Sequence, residues 1–204
     1  MEILKIETHS EQELISRLRN VTLLNQPDKK PYEFAKIKVY CQDVYAGNPK
    51  YVLPCQRYVL LKQLQVIRQI NEKLTKNKID LLKVGYVTLT TSEGTFDFLP
   101  PILQTWTHHH LNLPNSPSFI INDGLHRCFI AKLEYQKLTC VFISNPSSPY
   151  YAYPNSWEDI KIIEPGEKMP AFKKWHIQTD YKKLYVDFNS GFDNYVGAPR
   201  GDKQ

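Results

Sequence analysis

Apolar residues recur at spacings of three and four over residues 56–73, the longest such run in the chain. They are Val59, Leu60, Leu64, Ile67 and Ile70. This spacing places side chains on one face of an α-helix, so the pattern predicts an amphipathic helix over residues 56–73. Basic residues occupy its other faces, and a solvated surface explains them more simply than a binding surface does.

A second, shorter helix is predicted over residues 11–19. Leu14, Ile15 and Leu18 would form its buried face. Ser10 precedes the segment and Glu13 follows three positions later, which is the spacing of a capping box. The sequence therefore predicts both the helix and the residue at which it begins.

Runs of apolar and β-branched residues between turn signals predict the strands. They cover residues 35–44, 83–91, 95–99, 119–121 and 139–143, and a helical pattern extends from residue 125 to about residue 135. For residues 157–163 the sequence predicts a further strand or another short element of secondary structure. Buried strand, tight turn, helix and strand follow one another, so the core is mixed α/β or α+β.

Composition excludes some classes of protein. The 204 residues include only 8 glycines, and no glycine-rich phosphate loop or dinucleotide turn occurs. A net charge of +5 permits an anionic partner without requiring one. The chain shows no signal-peptide pattern, no apolar run of membrane-spanning length and no CxxC pair. These features predict a cytoplasmic protein that does not insert into a membrane.

The most informative segment is the turn that follows the apolar run 119–121. Gly124 permits a sharp turn after Asp123, and a helix starts at once, so free backbone N–H groups at its positive end can bind an anion. Arg127 adds a planar donor fork, and His126 adds an imidazole. Asp123 would cap the helix, orient His126 or hold a divalent cation. An Asp-Gly turn before a helix is also common for structural reasons alone, and the residues leave the two interpretations nearly balanced.

The string DGLHR at residues 123–127 resembles the G-x-[HR]-R box of the ParB/sulfiredoxin superfamily. The residues 100–103 are similar to the P-I strand of that family, and residues 138–143 to its closing strand. The predicted helix 56–74 lies where the family has its first conserved helix. The resemblance covers roughly residues 37–143.

The resemblance implies a compact α+β fold, with a mixed sheet and flanking helices. It divides the chain into an N-terminal arm at residues 1–34, a nucleotide-binding core at 35–145 and an aromatic-rich extension at 146–204, packed on the core. It also implies phosphate binding by Gly124, Leu125, His126 and Arg127.

Two departures from the family pattern indicate the branch. Leu125 stands where sulfiredoxins carry their reactive cysteine, and Cys128 lies inside the helix, where a core position is expected. His126 stands where chromosome-partition proteins usually carry the first of two arginines. The box is therefore most similar to that of the serine-kinase-like branch, with its DGxHR pattern.

That branch implies phosphoryl transfer with Mg²⁺ and a nucleotide such as ATP, ADP or CTP. Asp123 would hold the metal, and Asp123, His126 and Asp43 are the candidate catalytic residues, with Glu33 as another candidate base. The first hypothesis is a phosphotransferase or nucleotide hydrolase, acting on a small hydroxylated or macromolecular acceptor. The alternative is a nucleotide-switched or DNA-associated binding protein, and a nuclease-like role ranks last.

Two further stretches have ambiguous chemistry. His108, His109 and His110 suggest a metal site, but a polar loop beside the substrate is the favoured interpretation because adjacent histidines point in different directions. Residues 181–192 mix basic and aromatic side chains. An aromatic cover over the sheet is favoured there over a single-stranded nucleic-acid site.

Overall fold

The computed structural model describes residues 2–19, 36–43, 52–92, 94–106, 118–144 and 153–170. These residues contain three α-helices, ten strands and one short 3-10 helix at Trp157–Asp159, and the fold is of the α+β class. In chain order the strands and α-helices are β1 (Ile3–Thr8), α1 (Glu11–Arg19), β2 (Lys36–Asp43), β3 (Val52–Pro54), β4 (Tyr58–Leu60), α2 (Leu61–Thr75), β5 (Val87–Thr91), β6 (Gly94–Phe98), β7 (Ile102–Trp106), β8 (Ser118–Asp123), α3 (Leu125–Leu133), β9 (Lys137–Ser144) and β10 (Lys161–Ile163).

The capping box predicted for α1 is present. The backbone N–H of Ser10 donates to Glu13 Oε2 at 2.7 Å, and the N–H of Glu13 donates to Ser10 Oγ at 3.2 Å. Each bond satisfies a donor that the helix start leaves unpaired. Leu14 and Leu18 are buried, as the spacing predicts.

The prediction for α2 is wrong at its beginning, because the helix starts at Leu61 rather than at residue 56. Residues Tyr58–Leu60 instead form β4, which pairs in parallel with β10. The partner strand lies about a hundred residues later in the chain. Local periodicity carries no information about such a partner, so Val59 and Leu60 were assigned to the helix on spacing alone.

A five-stranded sheet carries the centre of the fold, in the order β2-β9-β7-β8-β3. Strand β3 runs parallel to β8, with Pro54 opposite Ile121. Strand β7 is antiparallel to β8 and parallel to β9, while β2 is antiparallel to β9. Because β3 and β8 are parallel, the residues that follow both strands leave the sheet at the same edge.

Helices α2 and α3 share one hydrophobic core with the sheet. Buried side chains of this core include Leu64, Ile67 and Phe129 on the helices and Ile121 and Phe142 on the strands. Each fully buried side chain of this size contributes about 1.5–3 kcal/mol through removal of apolar area from water. The core thereby fixes α3 against the end of β8.

A second sheet, in the order β1-β5-β6, is joined to α1 by a polar network. Arg17 Nη1 donates to Asp97 Oδ2 at 2.5 Å and to the Tyr86 hydroxyl at 2.6 Å. Thr88 Oγ1 donates to Asp97 Oδ1 at 2.6 Å and lies 2.8 Å from His9 Nε2. The network ties the first helix to the hairpin of β5 and β6.

The chain continues to contribute to the core beyond residue 145. Trp157 is buried, and its Nε1 donates to the Val52 carbonyl at 2.8 Å. The backbone N–H of Asn155 donates to the Pro54 carbonyl at 2.7 Å. This segment therefore packs along β3 and β4, although the division of the chain at residue 145 stays a prediction.

Among the described residues, no helix is long and apolar enough to cross a membrane.

Candidate functional site

Gly124 joins β8 to α3 in a conformation that favours glycine. Its φ of 83° and ψ of 21° lie in the left-handed region. A Cβ placed on Gly124 would also lie 2.8 Å from the Cα and Cβ atoms of Pro101. Backbone conformation and close packing therefore both require a glycine at this turn.

Helix α3 begins with backbone donors that no side chain caps. Its first intrahelical bond runs from the N–H of Cys128 to the carbonyl of Gly124, at 3.0 Å. The N–H groups of Leu125, His126 and Arg127 come before that bond and have no acceptor within the helix. They lie at the positive end of the helix dipole, which favours an anion.

Arg127 lies in the first turn of α3, and its side chain is only 6% exposed. Within the described part of the chain it makes no hydrogen bond and no ion pair. Burial lowers the pKa of Arg127 below its ordinary value, while the charge of Asp123 raises it. Arginine remains protonated in proteins, so the site holds a buried positive charge that interacts with the charge of Asp123 but makes no hydrogen bond to it.

Asp123 is the last residue of β8 and faces the same turn. Its Oδ2 atom is buried and has no hydrogen-bond partner in the described chain. Of the three roles that the sequence suggests for this carboxylate, helix capping is absent, because no side chain caps α3. An unpaired carboxylate next to a buried guanidinium remains.

The side chain of His126 is hydrogen-bonded to the start of another helix, α2. Its Nε2 accepts a hydrogen bond from the backbone N–H of Leu60 at 3.0 Å. Leu60 is the N-cap residue of α2, so the imidazole connects the starts of α2 and α3. With Nε2 as the acceptor, the neutral ring carries its proton on Nδ1. Nε2 is therefore not available as a general base in this arrangement.

The structure does not bring Asp43 to the turn. Asp43 ends β2, and two strands separate β2 from β8 in the sheet. Three strand spacings amount to about 14 Å. Glu33, the three histidines His108, His109 and His110, and residues 181–192 lie outside the described residues.

Two amide side chains near the turn carry no sequence signal. Gln56 is 9% exposed, and its Oε1 has no hydrogen-bond partner. The Nδ2 of Asn155 is likewise buried and unpaired. No sequence motif marks these two residues. Their position near the turn follows from the pairing of β3 with β8 and from the hydrogen bond between the Asn155 N–H and the Pro54 carbonyl, and neither can be read from the sequence.

Cys128 is buried in the hydrophobic core, as the sequence predicts for a helix position that faces the sheet. The thiols of Cys55, Cys128 and Cys140 are not joined in disulfides.

The family model of the ParB CE domain matches residues 13–161. This match spans more than half of the chain. The chain belongs to the ParB CE domain family. The matched region contains the turn at Asp123–Arg127 and extends to β10, so Asn155 and Trp157 lie within the family domain. The resemblance to ParB-like proteins is confirmed at this level.

Comparisons with curated proteins and with solved structures find no match. Among the described residues, no group of three or more histidine, cysteine, aspartate or glutamate side chains could hold a metal ion.

Proposed function

We propose that the chain binds the phosphates of a nucleotide at the turn Asp123–Arg127 and uses the nucleotide in phosphoryl transfer or hydrolysis. The buried guanidinium of Arg127, whose donors make no hydrogen bond within the described chain, carries this proposal. It accords with the DGxHR pattern of the serine-kinase-like branch. The acceptor would be a hydroxyl group of a small molecule or a macromolecule, or water.

The energetics of burial support an anionic ligand. A buried charge without a partner destabilises a fold by several kcal/mol, and folds keep such groups mainly where a function needs them. Phosphate oxygens match the planar donors of a guanidinium and the N–H groups at a helix start. Arg127 itself belongs to the first turn of α3, so both kinds of donor come from the same turn of the helix.

Asp123 fits a role beside a nucleotide-bound Mg²⁺. Mg²⁺ is usually held by one or two carboxylates together with phosphate oxygens, so a cluster of protein ligands is not required. When bound, the ion neutralises charge that develops on the phosphates. Asp123 would contribute the carboxylate, while Arg127 and the backbone donors would orient the phosphates.

A second candidate function follows from the family match, because ParB-type membership also suits a nucleotide-switched protein that associates with DNA. This candidate predicts nucleotide binding without consumption and DNA retention that weakens as salt rises. Product analysis separates the two functions.

Arg127→Met tests the proposal. The purified chain is titrated with ATP, ADP, CTP and GTP in the presence of Mg²⁺, and both its melting temperature and the release of phosphate are measured. We expect at least one nucleotide to raise the melting temperature, since a ligand that binds only the folded state stabilises it. Arg127→Met should abolish this shift and the turnover.

The melting temperature of ligand-free Arg127→Met is a second readout. Methionine removes a buried guanidinium whose donors make no hydrogen bond, and the Asp123 that remains is only partly buried, so the variant should melt at or above the temperature of the wild type. Arg68→Met is the matched control, because Arg68 is exposed on α2 and pairs with Glu134. Unchanged nucleotide binding by Arg127→Met, or a markedly lower melting temperature without ligand, would show that Arg127 is structural.

A further inference from the structure

Buried polar atoms without partners are concentrated near one edge of the five-stranded sheet. Within the described chain they are Gln56 Oε1, Gln104 Nε2, Asp123 Oδ2 and Asn155 Nδ2. Native folds contain few such atoms, and each calls for an explanation. Gln104 is partly satisfied, since its Oε1 accepts from Asn122 Nδ2 at 2.7 Å. The phosphate turn accounts for Asp123 but leaves the amides of Gln56 and Asn155 unexplained.

The strand register gives the order of these groups along the edge. Pro54 of β3 lies opposite Ile121 of β8, so Gln56 leaves β3 at the level at which Asp123 leaves β8. Cys55 Sγ donates to the Ile121 carbonyl at 2.9 Å and connects the two chain segments at this end. Gln56 is therefore adjacent to the phosphate turn.

Asn155 lies on the far side of β3. Its backbone N–H donates to the Pro54 carbonyl, so its own chain segment runs beside β3. Neighbouring strands are about 4.8 Å apart, which places Asn155 about 10 Å from β8. The order along the edge is Asp123, then Gln56, then Asn155, and it proceeds from the phosphate turn outwards.

We propose that Gln56 and Asn155 form an amide subsite that binds the base of the nucleotide whose phosphates occupy the turn. The proposal rests on the proposed function, because the phosphates set which part of the ligand reaches the amides. A nucleoside extends away from its phosphates, and an uncharged group with both a donor and an acceptor is the natural partner of two carboxamides.

The unpaired atoms indicate which edge of a base fits. In the orientation that the structure gives the two amides, Gln56 presents an acceptor, Oε1, and Asn155 presents a donor, Nδ2. An exocyclic amino group would donate to Gln56, and the adjacent ring nitrogen would accept from Asn155. On the Watson–Crick edge, which lies farthest from the ribose, adenine and cytosine carry this amino group beside an acceptor nitrogen, whereas guanine and uracil present a carbonyl oxygen and a ring N–H at the matching positions. The subsite therefore selects amino-substituted bases.

A competition binding experiment with the full chain tests the subsite. The probes are ATP, CTP, GTP, UTP and inorganic tripolyphosphate, each with Mg²⁺, and their dissociation constants are measured by calorimetry. We expect ATP or CTP to bind more tightly than GTP and UTP. Asn155→Leu and Gln56→Leu should each weaken binding of the preferred nucleotide about tenfold, since each removes one buried hydrogen bond to the base.

Asn155→Leu should change tripolyphosphate binding by less than about twofold, because the Asn155 side chain lies beyond the phosphate turn. Gln69→Leu is the control for a glutamine lost from an exposed position on α2. Asn155→Asp replaces the donor with an acceptor of the same shape, so it should reduce the preference for the amino-substituted base as strongly as Asn155→Leu does.

The outcomes separate this proposal from the proposed function. If the wild type prefers GTP or UTP, or if Asn155→Leu keeps the original preference, the amide subsite is wrong while the phosphate turn stands. If the wild type binds neither tripolyphosphate nor any of the nucleotides, the proposed function is wrong and the subsite is wrong with it. The subsite would also be overturned if Asn155→Leu weakened the binding of the preferred nucleotide and of tripolyphosphate by the same factor.

Discussion

At the turn between β8 and α3, two independent constraints act on one residue. Gly124 adopts a φ of 83°, and the position of its absent Cβ is already occupied by Pro101. Left-handed backbone costs a residue with a side chain about 1–2 kcal/mol, and overpacking against a rigid proline ring adds about 1–3 kcal/mol. The turn is thus held in one shape before any ligand arrives.

Gly124→Ala should therefore lower the free energy of unfolding by about 2–5 kcal/mol. Urea denaturation followed by circular dichroism measures the change. Gly85→Ala is the control, because a Cβ on Gly85 meets no atom within 4 Å and its φ lies outside the left-handed region. Equal stability of Gly124→Ala and the wild type would contradict the geometry of the turn.

The sequence predicted which residues form the turn, but it did not predict the contacts that each side chain makes. Gly124 and Arg127 are visible in the DGLHR string because glycine and arginine have distinctive chemistry. His126 is equally visible, yet its bond to the N–H of Leu60 depends on where α2 begins. Gln56 and Asn155 were not predicted, since an isolated amide has no pattern from which burial can be inferred.

At the scale of elements, the helices and most strands follow from local patterns. α1 has its predicted bounds and capping box, and the strands β8 and β9 include the predicted apolar runs. The strand predicted from residue 83 begins only at Val87, and the larger errors occur where a distant partner determines the structure. β4 forms because β10 pairs with it, and β1 and β3, which were not predicted, also form by pairing with strands much later in the chain.

Trp157 fixes the segment that carries Asn155. Its indole Nε1 donates to the Val52 carbonyl, and its ring lies 6.4 Å from that of Phe129 on α3. The side chain thus connects the segment after β9 to β3 through a hydrogen bond and to α3 through packing. Loss of this anchor would release Asn155 from the edge of the sheet.

Trp157→Phe should lower the free energy of unfolding by about 1–3 kcal/mol, because the Val52 carbonyl loses its donor and remains buried. Trp157→Ala should cost more, about 3–5 kcal/mol, since it also leaves a cavity. Thermal denaturation of both variants measures the difference. Trp157→Phe with the stability of the wild type would show that the indole N–H contributes nothing to the anchor.

At the scale of the whole molecule, the network around Asp97 makes stability depend on pH. Burial raises the pKa of Asp97, but hydrogen bonds from Thr88 and Arg17 and the charge of Arg17 outweigh it, so the pKa lies below its ordinary value of 3.8. The unfolded chain then binds the proton more readily than the folded chain. The stabilisation is present above pH 3.8 and is lost as the pH falls through the lowered pKa.

Asp97→Asn should remove this part of the acid sensitivity. The free energy of unfolding of the variant should be lower than that of the wild type at neutral pH, and the difference should shrink below a pH of about 4. Melting temperatures measured between pH 2 and pH 7 test the expectation. Asp159→Asn, at an exposed position, is the control. A constant difference between Asp97→Asn and the wild type at every pH would exclude Asp97 as the source.

The pairing of early strands with late ones affects how the chain folds as it is synthesised. The β1-β5-β6 sheet is complete once residue 98 has left the ribosome. The five-stranded sheet must wait for Ser144, and the parallel partner of β4 within the described chain, β10, is complete only at Ile163. Pairings of such long sequence separation form slowly. Nascent chains that have emerged to a point between residues 98 and 144 should consequently hold the first sheet while the phosphate turn is still unformed. We expect chaperones to bind the chain mainly in that interval.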